Sequence, residues 1–181
     1  MRALVARERP GVRVLDFCAG RGRNTAALRA AGFEVVAVSD EAADRDGALL
    51  ESAGSIDAVV STHGLLHGTL DAIAARLVRL AQCLRGSGTL YATFGSVDDA
   101  RFGRGTRIAA ATFAPLDGDE RGVAHTYFTR LEIETLLFAH FAIDCLEERR
   151  VDDVAGKWAH AERPLSNAVH WFAIAHRPVS T

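Results

Sequence analysis

Residues 12–40 constrain the fold more than any other part of the sequence. The stretch begins with the apolar run VRVL, which is typical of a buried parallel strand. Gly20 and Gly22 then allow the backbone to turn sharply. A helix follows that ends at Gly32, and residues 33–38 form a second apolar strand. This order predicts a βαβ unit with a ligand crevice at the carboxyl ends of its two parallel strands.

Two acids in this unit distinguish between classes of cofactor. A dinucleotide places its pyrophosphate on the helix N-terminus after the glycines, where a carboxylate at Asp16 would repel it. S-adenosylmethionine has no phosphate and carries a sulfonium and an ammonium, so an acid there is favourable. Asp40 ends the second strand, about 20 residues after the glycine turn. This is the spacing expected of an acid that accepts hydrogen bonds from ribose hydroxyls, about 20 residues on. The two acids therefore favour S-adenosylmethionine, and a nucleotide-dependent oxidoreductase is the less favoured alternative.

The sequence resembles the class I S-adenosylmethionine-dependent methyltransferases. The likeness is carried by VLDFCAGRGRNT (14–25), VSD (38–40), IDAVVS (56–61), LRGSGTL (84–90) and the run His170–His176. Within this class, GRGRN and the later HTYFT are most similar to the tellurite-resistance and thiopurine-type small-molecule branch. The resemblance covers nearly the whole chain. It implies one domain over residues 1–181, with a doubly wound, mostly parallel α/β Rossmann-like sheet that ends in an antiparallel hairpin.

The resemblance also implies S-adenosyl-L-methionine as cofactor and in-line methyl transfer to a small molecule. Together with the two acids, it predicts these cofactor-binding residues: Asp16, Cys18, Ala19, Gly20, Gly22, Asn24, Thr25, Asp40, Glu41, Ser61, Thr62 and His63. Cys18 stands where the class pattern has its first glycine, and a packing role is favoured over a reactive thiol. His125 and Tyr127 precede a capped helix at the mouth of the site and are the predicted catalytic pair. For His125, a general base and a structural hydrogen bond are both open.

The connection between residues 41 and 55 is short for this class. It has room for one helix and shows no apolar strand run, so we expect one edge strand and its helix to be deleted and predict a six-stranded sheet. No residue matches the acid that reads adenine in relatives. The second strand is then an exposed edge, where pairing with a second copy is an option. This shortening keeps open an alternative function, a cofactor-binding or regulatory module of the same fold with weak or no catalysis.

Residues 95–127 form a second unusual connection, long and without convincing periodicity. Structureless loops of more than about 12–15 residues are usually functional or disordered. Its aromatic residues provide apolar anchors, so we expect an ordered lid over the crevice. After it, Phe141 to Leu146 and Ala168 to Ala175 are the predicted hairpin strands. Capping residues predict where three helices begin, at Asn24 or Thr25, at Gly68 or Thr69, and at Thr129 with Glu132 in a capping box.

Composition excludes several other classes. A formal net charge of −2 over 181 residues gives no basic field for nucleic acid. Three distant cysteines suit a reducing compartment, and no run is long or apolar enough for a signal peptide or a membrane span. We expect a cytoplasmic monomer or homodimer acting on a small molecule. His63 and His67 have a metal-ligand spacing, but no third ligand is near in sequence, so no metal is predicted.

Overall fold

The computed structural model describes residues 2–39, 49, 52–150 and 167–179. The helices are α1 (Arg2–Arg7), α2 (Arg23–Ala30), α3 (Leu70–Cys83) and α4 (Arg130–Phe138). The strands are β1 (Arg13–Phe17), β2 (Glu34–Val38), β3 (Ile56–Ser61), β4 (Leu84–Ser96), β5 (Thr106–Ala109), β6 (Thr112–Ala114), β7 (His125–Phe128), β8 (Ala142–Arg150) and β9 (Val169–His176). Helices and strands alternate along the first half, which is the pattern of a doubly wound α/β fold.

The main sheet has the strand order β2-β1-β3-β4-β9-β8. The first four of these strands are parallel, with Leu15 opposite Val36 on one side and Val59 on the other. Strand β9 runs antiparallel to both β4 and β8. The predicted α/β Rossmann-like fold with a final antiparallel hairpin is therefore confirmed. Among the described strands β2 is an edge, but most of the predicted shortened connection, residues 40–48, 50 and 51, lies outside the described residues.

Alternate residues of the central strands enter two separate cores. Val14 and Val60 pack on one face of the sheet with Leu4 of α1, whereas Leu15 and Val59 pack on the other face with α3. All of these side chains are essentially fully buried. Burying both faces explains why β1 and β3 are near-continuous apolar runs rather than alternating ones.

Three further strands extend the sheet beyond the end of β4. Strand β7 runs parallel to the last residues of β4, with Gly95 opposite Tyr127 and Ser96 opposite Phe128. Antiparallel pairing then adds β6 and β5. The prediction of six strands is thus wrong for the whole sheet, which has nine described strands. The extra strands were missed because β5 and β6 are short and all four residues of β5 are exposed, so neither shows alternation.

The helix predictions were confirmed in part. Thr69 and Thr129 cap α3 and α4, and Thr129 forms the predicted capping box with Glu132. Neither Asn24 nor Thr25 caps α2, which begins instead at Gly22 in the left-handed region with no side-chain cap. No helix in the described parts of the chain combines the length and hydropathy that a membrane crossing requires.

Candidate cofactor cleft

A cleft of about 470 Å³ opens at the carboxyl ends of β1 and β3. One wall is the glycine turn after β1, and a second is the segment that follows β3. Residues 119–124, between β6 and β7, contribute a third wall. The lining residues are Cys18, Ala19, Gly20, Arg21, Arg23, Asn24, Thr62, His63, His67, Gly68, Arg76, Asp119, Glu120, Val123 and Ala124. The volume lies within the range of about 300–1,000 Å³ that is common for small-molecule and cofactor sites.

The glycine turn presents bare backbone to this cleft. Gly20 has φ +51° and Gly22 has φ +75°, a left-handed conformation that side chains with a Cβ adopt at a cost. A Cβ on Gly20 would meet no atom within 4 Å, so the space in front of it is open. The turn leads directly into α2, whose first N–H groups have no partner within the helix. Such a cradle suits a ligand that approaches the backbone closely.

Asp16 and Thr25 form the base of the turn. The Thr25 hydroxyl donates to Asp16 Oδ2 at 2.5 Å, and both residues are buried. This bond ties the start of α2 to the end of β1. It also explains why Thr25 is unavailable as a helix cap. Asp16 therefore places its carboxyl group beneath the cleft while holding the glycine turn in shape.

Cys18 lies in the left-handed region, with φ +56°, where the class pattern has a glycine. The room for its side chain comes from Gly64 on the opposite wall. A Cβ built on Gly64 would lie 2.6 Å from Cys18 Sγ and 2.8 Å from Ser61 Oγ. The glycine missing at position 18 is thus compensated by a glycine at position 64, which the sequence analysis did not single out.

Polar side chains connect the turn to the end of β3. Asn24 Nδ2 donates to Thr62 Oγ1 at 3.1 Å. Ser61 is fully buried, and its hydroxyl has no hydrogen-bond partner among the described residues. A buried hydroxyl without a partner costs free energy unless a ligand or a water completes it. The carboxyl end of β3 therefore offers an unused donor and acceptor beneath His63.

Backbone hydrogen bonds bring two histidines together beside the cleft wall formed by residues 119–124. Gly68 N donates to Ala124 O at 2.7 Å, and Thr126 N donates to Leu66 O at 3.0 Å. These two bonds flank a bridge between His67 and His125. The imidazole centroids are 4.7 Å apart, with the rings nearly perpendicular. Rigid backbone pairing thus sets the distance between side chains 58 residues apart in sequence.

Glu120 lies between these two imidazoles. Its Oε2 is 3.1 Å from His125 Nε2, and its Oε1 is 3.5 Å from His67 Nε2. Hydrogen bonding to His125, followed by His67, holds the pKa of Glu120 well below its usual range despite partial burial. The carboxylate therefore stays ionised at the wall of the cleft. We call His67, Glu120 and His125 the His-Glu-His cluster.

Tyr127 lies behind this cluster rather than in the cleft lining given above. Its ring is almost fully buried and packs against Phe102 and Phe113, at centroid distances of 5.6 and 6.4 Å. Burial raises the pKa of Tyr127 to about 12, so the phenol keeps its proton at neutral pH. His125 is also buried and reaches the cleft through Glu120. The structure thus brings the predicted catalytic pair close to the cleft without placing either residue in its lining.

The predicted cofactor-binding residues fall into three groups. Lining the cleft are Cys18, Ala19, Gly20, Asn24, Thr62 and His63. Supporting it from beneath or beside are Asp16, Gly22, Thr25 and Ser61. Asp40 and Glu41 lie outside the described residues. The sequence analysis did not single out Arg76, which lines the cleft from α3. It is buried, and its guanidinium donates to the carbonyls of Gly64 and His67 at 2.8 and 2.5 Å.

A second buried histidine, His170 on β9, gives a prediction for pH dependence. Burial lowers the pKa of His170 to about 4, against an ordinary value of 6.5. Asp99 and Glu120 oppose this shift, whereas Arg101 and His125 add to it. Since the fold favours the neutral ring, this contribution to stability is complete above pH 6.5 and is lost as the pH falls towards 4.

The expected size of this loss is up to about 1.4 kcal/mol in unfolding free energy per pH unit. A His170→Phe variant should show a correspondingly shallower decline between pH 6.5 and 4 in urea unfolding. A matched His176→Phe variant, on the same strand but 40% exposed, should keep the wild-type slope. Equal slopes for wild type and His170→Phe would contradict the prediction.

Comparison with known structures shows the fold of S-adenosylmethionine-dependent methyltransferases. Such a protein from Methanosarcina mazei aligns over 99% of both chains, with a TM-score of 0.75 and 16% identity. The 1,6-didemethyltoxoflavin-N1-methyltransferase of Burkholderia thailandensis aligns over 98% of this chain and 76% of its own, with a TM-score of 0.67 and 23% identity. It was solved with 1,6-didemethyltoxoflavin and S-adenosylhomocysteine bound.

A third methyltransferase of this kind, from Mesorhizobium loti, aligns over 97% of this chain and 96% of its own, with a TM-score of 0.63 and 17% identity. No family model matches the sequence, and a search of curated proteins gave no significant match. At these identities the comparisons establish the fold class alone. The particular reaction has to be argued from the cleft.

Proposed function

We propose that this protein binds S-adenosylmethionine in the cleft and transfers its methyl group to a small-molecule acceptor. The observation that carries the proposal is the glycine turn, whose Gly20 backbone faces an open cleft at the carboxyl ends of β1 and β3. In an open α/β sheet this is the edge where ligands bind. The shared fold with S-adenosylmethionine-dependent methyltransferases supports the same assignment.

The charges around the turn suit the methionine part of this cofactor. Arg21 and Arg23 line the cleft beside the N-terminus of α2, and cations and helix N-termini both favour a carboxylate. Asp16 lies beneath and favours an ammonium or sulfonium. The unpartnered hydroxyl of Ser61 adds a hydrogen-bonding group at the floor. Asp40 remains the proposed ribose ligand and Glu41 a further proposed cofactor-binding residue, on the sequence pattern alone.

The bound cofactor supplies an electrophilic methyl group on its sulfonium. The chain's own task is to align the acceptor with that methyl group and to exclude water, which in ideal cases lowers a barrier by about 7–11 kcal/mol. Residues 119–124 form the cleft wall suited to this task. Where the acceptor atom carries a proton, the Glu120 and His125 pair is the group that we propose accepts it, through Glu120 at the cleft wall.

A small acceptor fits the cleft and the resemblance to the tellurite-resistance and thiopurine-type branch. The Burkholderia thailandensis neighbour, solved with a small heterocycle bound, supports the same size of acceptor. The alternative is a cofactor-binding or regulatory module, which the short connection at 41–55 keeps in view. Calorimetric titration with S-adenosylmethionine, S-adenosylhomocysteine and NAD tests these functions. Preference for NAD would overturn the proposal, and binding without turnover across thiols, oxyanions and hydroxylated metabolites would favour the module.

Separate substitutions of His125 and Tyr127, the two predicted catalytic residues, compare their contributions to methyl transfer. His125→Ala should lower the methyl-transfer rate by about 10²–10⁴-fold if the pair accepts a proton. Tyr127→Phe keeps the ring packing against Phe102 and Phe113 and should lower the rate less than tenfold. Both variants should bind the cofactor with nearly wild-type affinity, because neither side chain lines the cleft. Rates from a radiolabelled methyl assay and affinities from calorimetry would check both parts, and a fully active His125→Ala would refute the assignment.

A further inference from the structure

The His-Glu-His cluster has the composition of a metal site. Two imidazoles and one carboxylate are a donor set that binds Zn²⁺ and other divalent transition metals. One ligand atom from each of His67, Glu120 and His125 lies within 4.8 Å of the other two. Sequence reasoning excluded a metal because no third ligand is near His67 in sequence. The fold supplies Glu120 and His125, which lie near the end of the connection formed by residues 95–127.

The spacing of the atoms fits a shared cation. With zinc–ligand bonds of about 2.0–2.2 Å, two donors of a tetrahedral site lie about 3.4 Å apart. Glu120 Oε2 is 3.1 Å from His125 Nε2, and Glu120 Oε1 is 3.5 Å from His67 Nε2. These two distances go to different carboxylate oxygens, and one ligand atom from each of the three residues lies within 4.8 Å of the other two. Side-chain rotations that shorten the longest separation to about 3.4 Å would place all three donors around one ion.

The second nitrogen of His125 fixes the chemistry of the first. His125 Nδ1 is 2.8 Å from the carbonyl oxygen of Val123, which only accepts hydrogen bonds, so Nδ1 carries the proton. In a neutral ring Nε2 then has a lone pair that points at the Glu120 carboxylate. Two facing lone pairs repel unless a proton or a metal cation lies between them. Donation of the other ring nitrogen to a backbone carbonyl is the usual arrangement of a metal-ligating histidine.

His67 adds a second observation. Its Nε2 is buried, and its contact with Glu120 Oε1 is long, at 3.5 Å. A proton shared between Glu120 and His125 would leave this contact long. A metal bound by all three residues would satisfy this nitrogen.

We propose that His67, Glu120 and His125 bind one divalent transition metal ion, with Zn²⁺ as the reference ion. Arg101 is the nearby cation, at 3.8 Å from Glu120 Oε2, but its Nε pairs with Asp99 at 3.2 Å. Its charge is therefore largely balanced by another acid. His67 and Glu120 line the cleft, so the remaining coordination positions face it. They would accept a water or an oxygen, nitrogen or sulfur atom of a small molecule in the cleft.

The metal site can exist without the proposed methyl transfer. Contact between the bound metal and a methyl acceptor rests on that proposed function. Both can be tested on the full-length protein after treatment with EDTA. Titration with Zn²⁺ alone, without cofactor, should show saturable binding at one ion per chain. His67→Ala and Glu120→Gln should each weaken this binding at least 100-fold. Visible spectra with Co²⁺ should give d–d bands that both variants lose.

A matched control comes from the exposed pair of His176 and Asp144. His176 Nδ1 lies 2.9 Å from Asp144 Oδ1, and no described residue adds a third metal ligand to this pair. His176→Ala should bind Zn²⁺ like the wild type. Because a variant can fail to fold, X-ray absorption of zinc-loaded wild-type protein gives an independent answer. It should show nitrogen and oxygen ligands only, at about 2.0–2.2 Å.

Three results would overturn the proposal. One is the absence of saturable Zn²⁺ binding to the wild type. Another is binding that folded Glu120→Gln leaves unchanged, which would make Glu120 a hydrogen-bond partner of its histidines and nothing more. The third is a sulfur ligand in the absorption spectrum. Loss of Zn²⁺ binding in the variants with intact S-adenosylmethionine affinity would support the metal site, and a failure to bind S-adenosylmethionine would count against the proposed function alone.

Discussion

Replacing Gly20 by valine is expected to abolish measurable cofactor binding. The residue has φ +51° and its missing Cβ faces the open cleft, so the two valine methyl groups would project into the space proposed for the ligand. A loss of at least 100-fold in S-adenosylmethionine affinity, about 2.7 kcal/mol, should follow. The left-handed backbone adds a stability cost of about 1–2 kcal/mol, since a β-branched residue is strained there.

Gly103→Val separates these two effects. Gly103 also has a positive φ, +77°, and its Cβ would also meet nothing within 4 Å, but it is not a cleft-lining residue. Both variants should lose similar stability in urea unfolding, and only Gly20→Val should lose affinity in calorimetry. Equal cofactor affinity in the two variants would remove the glycine turn from the proposed site.

Gly64→Ala should destabilise the protein strongly, because Gly64 packs against Cys18 beside the cleft. The new Cβ would lie 2.6 Å from Cys18 Sγ and 2.7 Å from Cys18 Cβ, inside contact distance. Overpacking of this kind costs about 1–3 kcal/mol. Gly86→Ala is the matched control, because a Cβ there meets no atom within 4 Å, and its stability should change by less than about 0.5 kcal/mol.

The clash can be assigned to its partner by a double-mutant cycle. Cys18→Gly removes the two closest atoms and also the left-handed cysteine, but leaves Ser61 Oγ at 2.8 Å from the new Cβ. The Cys18→Gly, Gly64→Ala double variant should therefore recover part of the loss. We expect a coupling of about 0.5–3 kcal/mol between the two sites. Additive effects in urea unfolding would show that Gly64 is needed for some reason other than the cysteine.

Local signals predicted most of the fold correctly. The run VRVL, the glycine turn and the end of α2 at Gly32 are contained within about 20 residues, and each acts through its own backbone preferences. The caps of α3 and α4 at Thr69 and Thr129 are equally local. The α2 cap failed because the two candidate side chains found distant partners, Asn24 at Thr62 and Thr25 at Asp16. Tertiary contacts overrode a local preference there.

The cofactor side of the cleft was predictable for a similar reason, since the turn after β1 follows directly from the sequence pattern. The cleft wall formed by residues 119–124 could not be predicted in this way. Glu120 meets His67 across 53 positions of the chain. It lies in a turn between β6 and β7, which have only three and four residues and are too short to show a pattern. The buried face of α4 could not be predicted either: Ile133 and Leu137 are buried, whereas Leu131 and Phe138 are exposed. Five apolar residues around this short helix leave its orientation undetermined.

The position of β9 in the sheet has a consequence for the order in which the protein can assemble. Among the described strands, β8 joins the sheet through β9, which lies between β8 and β4. A ribosome releases β8 first, so this strand has no sheet partner until the residues of β9 emerge. Over the same interval the edge of β4 is unpaired, and exposed strand edges promote aggregation. The sheet can therefore be completed only after residues 169–176 have been synthesised. Chains stalled before these residues should bind chaperones strongly.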